Sequence, residues 1–485
     1  MKILKRFAYM MSAVLFSALT FLTYTPAVHA NSYFGGNGKI TFYSPVTLDN
    51  NEQEIYVANA DGSNIRNITN NSIPDANPQW SPCIINTTGC PVGITFDSRI
   101  DDTQGHDIMV QTMSDNGSII QPPSAVDGAN TTGDEYDPSW KPDASAIAFH
   151  KGSGSDYDIY TVSGFDSSFS GGTVNQITDG GTEIRDTEAT WSKSGDYLSF
   201  TRQDRAASPS ISECDWTSGS PDVGGCIGVV PSDGTESDVV YIDSSTTVSI
   251  GSPQWSPVGN KVVYLKDGAI TIADLGDNME NLNSPVIKTL VSDPNGSAPT
   301  WSPDGKIIAV SNNNGITYYN SSTGDEIYHV TITTDSNVGF DAANGIHEID
   351  WARATAPGNN THDCTIYVNE TCNDGDFDPN IPDICATGTG SEITTEAAHG
   401  TPSYANGKFT YKPNKDYVGK DKYVYSYYDS NMNTITCTVN ITVLPKAPDT
   451  GEAPANRSGM ILGSTLAVGA LAGGYTLKRR KLLKR

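Results

Sequence analysis

A short phrase centred on tryptophan recurs along this chain: NPQWSP at Trp80, DPSWKP at Trp140, EATWSK at Trp191, SPQWSP at Trp255, APTWSPDG at Trp301 and, degenerate, EIDWAR at Trp351. Six of the seven tryptophans are used in this way, 46 to 64 residues apart. Self-similarity at such a period means one supersecondary unit repeated and stacked, because a single unit cannot bury its apolar face alone. Each tryptophan is therefore expected to pack between neighbouring units rather than to touch a ligand.

The rest of each unit reads as strands. A tight turn and a β-rich run follow the first five tryptophans: GITF, AIAF, YLSF, KVVY and KIIAV. A run opened by Ile55, Ile108, Ile159, Ile227, Ile270 or Ile316 comes next, and Asp61-Gly62 and Asp233-Gly234 supply turns in which glycine tolerates positive φ. A more polar fourth run completes the unit. Four short strands per unit without a helical period describe a propeller blade. The chain opens at KITFY with the second strand of a blade and ends its repeats with a lone first strand, His347 to Trp351. Pairing of these two closes the ring at six blades. The expected fold class is all-β, a six-bladed β-propeller closed by its last strand, followed by a small β-sandwich.

At these residues the chain resembles the TolB-like β-propeller repeats, whose pattern runs P-x-W-S-P-D-G, I-A-F, I-Y-V, D-G and L-T. Ala298 to Val310 matches almost letter for letter, and the resemblance covers about Gly38 to Arg353. It implies a fold far more than a function, since propellers host many activities.

Residues 354–360 read as a linker to a second domain, 361–444. GKFTYKPNKDYVGKDKYVYSYYD followed by an alternating strand to Val443 is similar to bacterial cadherin-like and immunoglobulin-like modules, with Tyr423 where that family has Phe. The resemblance implies a spacer or adhesive unit.

Both ends of the chain point to the cell surface. Residues 1–30 have the layout of a secretory signal: Lys2, Lys5 and Arg6, an apolar run, then Val28-His29-Ala30 as the cleavage site, with an uncleaved anchor as the alternative. At the other end, Ala447, Pro448, Asp449, Thr450 and Gly451 precede an uncharged run at 460–477 and a basic tail. This resembles a cell-wall sorting signal with Ala in place of the leading Leu of Leu-Pro-x-Thr-Gly. It implies a sortase-like transpeptidase and the cell wall as partners, and a permanent membrane anchor is the alternative.

Eight cysteines in an exported chain, none in a CxxC pair, suggest disulfides rather than zinc. Cys83 is expected to pair with Cys90 and Cys214 with Cys226. Four further cysteines allow three connectivities. Alternation favours Cys364 with Cys437 and Cys372 with Cys385, because Cys364 and Cys437 each lie on the apolar face of a strand.

A net charge of −26 repels phosphate backbones and excludes nucleic acid as a partner. The acids before the tryptophans, Asp75, Asp134, Glu135, Asp137, Asp186, Glu188 and Glu348, are expected to gather on one arc of the channel mouth. Trp216, on an insertion tied by Cys214 and Cys226, is the candidate aromatic anchor on that face. Asp374, Asp376, Asp378 and Asn380 form an alternating acidic run able to offer oxygen ligands, but the glycine and glutamate of a calcium loop are absent and a solvated loop is the competing reading. No cofactor is required by any motif, and calcium is the ion these acids would suit.

No G-x-S-x-G elbow or H-E-x-x-H pair occurs, and His106, His150, His329, His347, His362 and His399 stand singly, so the chain is not expected to be an enzyme. The expected function is a surface-anchored binding or adhesion protein with a protein or glycan ligand. A structural coat component is the first alternative and a propeller lyase or hydrolase the second.

Overall fold

The structure is a computed structural model that describes residues 36–445, apart from internal segments at 46–52, 84–92, 102–104, 114–118, 218–222, 313–314, 342–344, 355–359, 374–388 and 406–407 and four single positions. The signal residues and the sorting motif lie outside the described residues. Among those described, no helix is long and apolar enough to cross a membrane.

Six antiparallel four-stranded blades follow the repeat. Blade one pairs His347–Ala354 with Gly36–Pro45, Gln53–Ala58 and Arg66–Asn67, so the last repeat strand joins the first and closes the ring. Blades two to six begin with Asp75–Trp80, Asp134–Trp140, Ile184–Trp191, Ile250–Trp255 and Ser297–Trp301. Blades three and four also touch through one parallel bridge, Tyr157 to Arg185. The closure is tight: a Cβ on Gly38 would sit 2.8 Å from the Ala352 carbonyl oxygen. Tyr318 Oη of blade six donates to the Ala60 carbonyl of blade one at 2.6 Å, joining the last blade to the first.

The core of the propeller is divided into wedges, one between each pair of blades, and every wedge contains one repeat tryptophan. Trp80 packs with Ile55 and Val57 of blade one and Ile94 and Phe96 of its own. Trp255 packs with Ile227 and Val229 of blade four and Val262 and Tyr264 of blade five. Trp140, Trp191, Trp301 and Trp351 fill the equivalent places. The six indoles are 4 to 8% exposed. Two also bond the neighbouring blade: Trp191 Nε1 donates to the Ser139 carbonyl at 2.9 Å and Trp301 Nε1 to the Gln254 carbonyl at 3.3 Å.

The second domain is a β-sandwich. One sheet runs Asn360–Tyr367, Thr434–Leu444, Gly419–Tyr428, Thr389–Thr395, and the other Cys372–Asn373, Lys408–Pro413, Gly400–Ala405. Alternating aromatics from the two sheets fill it, with Phe409 stacked on Tyr425 at 3.8 Å and Tyr411 parallel to Tyr423.

The cysteine pairing in this domain corrects the sequence expectation. Cys364 bonds Cys372, not Cys437. Cys364 and Cys437 do lie on apolar faces of adjacent strands, but the register places Cys437 opposite Asn360 and Cys364 opposite Ile441. Four residues along a strand is about 13 Å, beyond the reach of a disulfide. Cys214 pairs with Cys226 as expected. Cys83 and Cys437 are also disulfide-bonded, while Cys90 and Cys385 lie outside the described residues.

Because each wedge depends on one indole shared by two blades, Trp255→Ala should lower unfolding free energy by about 3–5 kcal/mol. Denaturant titration followed by near-UV circular dichroism checks this; a loss under 1 kcal/mol would mean that the wedge repacks.

Candidate binding site

All six first strands carry the same irregularity. Register shifts fall at Ala76/Gln79, Tyr136/Ser139, Thr187/Thr190, Gly251/Gln254 and Ser297/Thr300, with a matching shift opposite the closing strand. The residue three places before each tryptophan is left-handed: Asn77, Asp137, Glu188, Ser252, Ala298 and Glu348 have φ between 46° and 59°. None is glycine, so each carries a conformational cost that the surrounding sheet must hold. Such bulges re-aim side chains. Here, together with the two residues that follow each one, they line the central channel, a cavity of about 80 Å³.

Three of the six are carboxylates, and a fourth joins them. Asp97, from the second strand of blade two, accepts from Asn77 Nδ2 at 2.7 Å and from the Asp137 backbone N–H at 3.4 Å. Glu188 accepts from Thr201 Oγ1 of its own blade at 2.6 Å and, across the blade interface, from the Ser252 N–H at 2.8 Å. Burial, then the charges of Asp137, Glu188 and Asp97, push the Glu348 carboxyl well above the usual carboxylate range. Burial raises the Tyr43 phenol as well, and Glu348, Asp137 and Asp97 add to it. Blades one to four thus supply Glu348, Asp97, Asp137 and Glu188, while blades five and six offer Ser252 and Ala298. Among the described residues, no lysine or arginine lines this part of the channel, while Arg185 and Arg205 line an adjoining cavity that Glu188 shares.

Two histidines that stand singly in the sequence meet these acids. His106 Nδ1 lies 3.0 Å from Asp97 Oδ2, and His150 Nδ1 lies 3.3 Å from Asp137 Oδ2. Tyr136 is packed between the two imidazoles, 4.4 Å from His106 and 5.4 Å from His150. Neither Asp97 nor these pairings were visible in the repeat, because Asp97 and His150 come from second strands, His106 comes from a third, and Tyr136 meets His106 across two blades. Among the described residues, no three His, Cys, Asp or Glu side chains are spaced to hold a metal ion.

The other predicted acids point elsewhere, and the strand period explains why. Asp75, Glu135 and Asp186 all stand five places before their tryptophan and are buried within the blades. Asp75 accepts from Asn71 Nδ2 at 2.8 Å. Glu135 accepts from Thr131 Oγ1 at 2.6 Å and faces Lys151. Asp186 takes both bonds of a bidentate pair with Arg202, whose guanidinium also reaches Glu236 and Tyr241. Asp134 accepts from the His106 N–H at 3.2 Å. Trp216 is likewise no free anchor: Arg205 lies 3.9 Å over its ring, and its backbone N–H donates to the Asp204 carbonyl. The acidic run Asp374, Asp376, Asp378 and Asn380 lies outside the described residues.

The far end of the channel is different. The six tryptophans, Lys193, Arg353 and Asp350 surround it, and Asp350 Oδ2 accepts from the Trp80 N–H at 2.7 Å. Burial lifts Asp350 to about 7, Asp158 to about 7 and Asp75 to about 6. A carboxyl whose folded pKa lies above its unfolded value of about 4 favours folding fully below that value and loses the contribution as pH rises through 6–7. Stability should therefore fall between pH 5 and pH 8, and Asp158→Asn should flatten the decline. Urea titrations at the two pH values check this, and a slope unchanged by Asp158→Asn would contradict it.

Residues 353–442 match the bacterial Ig domain family. Among solved structures, TolB from Acinetobacter baumannii aligns at 18% identity over 65% of this chain and 66% of that one, with a TM-score of 0.43. A chain of a nidogen/laminin complex aligns at 10% identity over 66% of this chain and 100% of that one, TM-score 0.43. An oligogalacturonate lyase in complex with manganese aligns at 9% identity over 79% and 99%, TM-score 0.34. No curated protein matches the chain.

Proposed function

We propose that the protein is a cell-surface binding protein rather than an enzyme, with the propeller as recognition head, the Ig domain as spacer and the C-terminal segment as anchor. The head takes a cationic group of a protein partner, a lysine or arginine side chain on an extended segment, at the acidic end of its channel. The observation that supports this is the left-handed ring, which holds Asp137, Glu188 and Glu348 toward one opening with Asp97 beside them and, among the described residues, no lysine or arginine in the lining they share. Like charges around a concave, low-dielectric opening favour a cation. A guanidinium or ammonium on a flexible stem suits carboxylates that are not spaced for a metal ion.

Calorimetry with an arginine-rich peptide is the test. Saturable binding should weaken about tenfold or more in Glu348→Gln or Asp137→Asn, as removal of one partner from a buried charge pair predicts. It should also weaken with salt. Because the raised Glu348 carboxyl must lose its proton to face a cation, affinity should rise with pH and level off once Glu348 is ionised in the free protein. Binding that survives both substitutions, or that strengthens as pH falls, would place the site elsewhere.

Anchoring rests on the order of Ala447–Gly451, the apolar run and the basic tail. Cleavage before Gly451 and transfer of Thr450 to the wall predict that the displayed protein lacks every peptide from 451–485. Mass spectrometry that recovers those peptides from the surface form would leave a membrane anchor instead.

A further inference from the structure

The alternation of blade four sorts its charged side chains into two sets. Asp186 and Arg202 lie on one face of the sheet and close on each other in a bidentate pair. Arg185 and Thr187 alternate with Asp186, and Thr201 and Gln203 alternate with Arg202, so these four stand on the other face. The register sets Arg185 beside Gln203 and Thr187 beside Thr201. Arg205 is one alternate step further along the chain. Together these residues line one wall of a cavity of about 360 Å³, and Ile250, Gly251, Ser252 and Leu265 of blade five line the other. Gly251 offers no side chain to fill it, and a Cβ there would already stand 3.3 Å from Thr201 Oγ1.

The donors of this cavity are fixed in place, and one of them has no acceptor. The Arg185 guanidinium lies 5.2 Å over the Tyr157 ring, and among the described residues its buried Nε has no hydrogen-bond partner. A buried N–H left without an acceptor is costly, and an entering oxygen would relieve that cost. Gln203 Oε1 accepts from Arg205 Nε at 3.2 Å and from Nη2 at 2.6 Å. Because a guanidinium only donates, Gln203 must turn its oxygen to Arg205, which leaves its amide N–H groups for another acceptor. Arg205 is held in turn on the Trp216 ring. The nearby carboxylates are engaged elsewhere. Asp204 accepts from the Ala206 and Ile211 N–H groups and from Ser210 Oγ, and Glu188 from Thr201 Oγ1 and the Ser252 N–H.

Two guanidinium groups with an amide beside them suit an oxyanion, and the surroundings select which one. Glu188, on the rim shared with the channel, would repel a phosphate dianion about twice as strongly as a carboxylate. A planar carboxylate also matches the fork of an arginine. At long range a chain of net charge −26 repels a bare anion. A ligand that carries a cation as well escapes this repulsion, and the acidic channel lies alongside, since Glu188 and Ser252 line both cavities.

We propose that the cleft between blades four and five is a carboxylate-binding subsite, formed by Arg185, Gln203 and Arg205, that takes an acidic side chain of the same extended partner segment whose basic side chain enters the channel. Alternate side chains of an extended segment share a face, so a basic and an acidic residue at alternate positions reach adjoining cavities. Trp216 serves this site at one remove, as the surface on which Arg205 is fixed. The link to the channel rests on the reading of the head as a receptor for a cation, whereas the subsite rests on the cleft itself.

The experiment uses the full chain and short peptides with blocked ends, so that only side chains carry charge. One peptide has arginine and glutamate at alternate positions, a second has glutamine in place of that glutamate, and a third has glutamine in place of the arginine. Calorimetry should find the first bound about tenfold more tightly than the second, and that ratio should fall to near one in Arg185→Gln. In protein carrying isotope-labelled arginine, the Arg185 Nε–H resonance should move on titration with the first and third peptides and not with the second. The Arg202 resonance should stay, because its guanidinium is already bonded to Asp186. Equal affinities for the first two peptides in the native protein, or an Arg185 resonance that the glutamate does not move, would overturn the proposal. Inorganic phosphate that moves this resonance at lower concentration than acetate would overturn the assignment to a carboxylate. An Arg185 response to the third peptide without any binding of the second would uphold the subsite and count against the cation reading of the channel.

Discussion

Everything in the propeller depends on one contact made six times, the wedging of an indole between two adjacent sheets. A blade of four strands has two apolar faces and no core of its own. The tryptophan at the end of each first strand supplies the largest apolar surface of its wedge, so that a blade is buried only when both neighbours are present. The ring therefore closes as a unit. Its last strand pairs with Gly36–Pro45 rather than ending free, and Gly38 admits the Ala352 backbone where a side chain would collide.

The wedge also builds the channel. With the tryptophan fixed at one end of the first strand, the bulge three residues earlier takes up the extra length and turns residues Asn77, Asp137, Glu188, Ser252, Ala298 and Glu348 inward. The packing of the periphery and the chemistry of the axis are two consequences of the same repeat. The chemistry of this axis comes from carboxylates at three of these positions and the arrival of Asp97 from a second strand. Since the sheet holds the bulges, the charges cannot relax apart by rotating the backbone. Burial first, and then their repulsion, raises the Glu348 carboxyl.

Much of this was legible in the chain itself. The period of the tryptophan phrase, the runs of β-branched and aromatic residues and the orphan strand at His347 to Trp351 together specified the blade count and the manner of closure. What could not be read was register. Asp75 and Asn77 differ by two positions and look alike in the sequence, yet the bulge between them sends one into the blade and the other to the channel. Asp186 gave no sign of Arg202, sixteen residues away on the next strand, and His106 and His150 gave no sign of each other. The same limit accounts for Cys364 and Cys437: alternation identifies a face, but only pairing tells how far along that face two residues stand.

The central claim is that the left-handed ring holds carboxyl groups together in a buried, acidic opening of the channel, so that Glu348 keeps its proton to a higher pH than an ordinary carboxyl and a cation competes with that proton. Isotope-edited infrared spectroscopy of the free protein across a pH titration tests this most directly. The protonated carboxyl band of the native protein should exceed that of Glu348→Gln by one component, over the background left by Asp350 and Asp158, and that component should be lost when the arginine-rich peptide saturates the head. Identical bands in the native protein and Glu348→Gln would contradict the account.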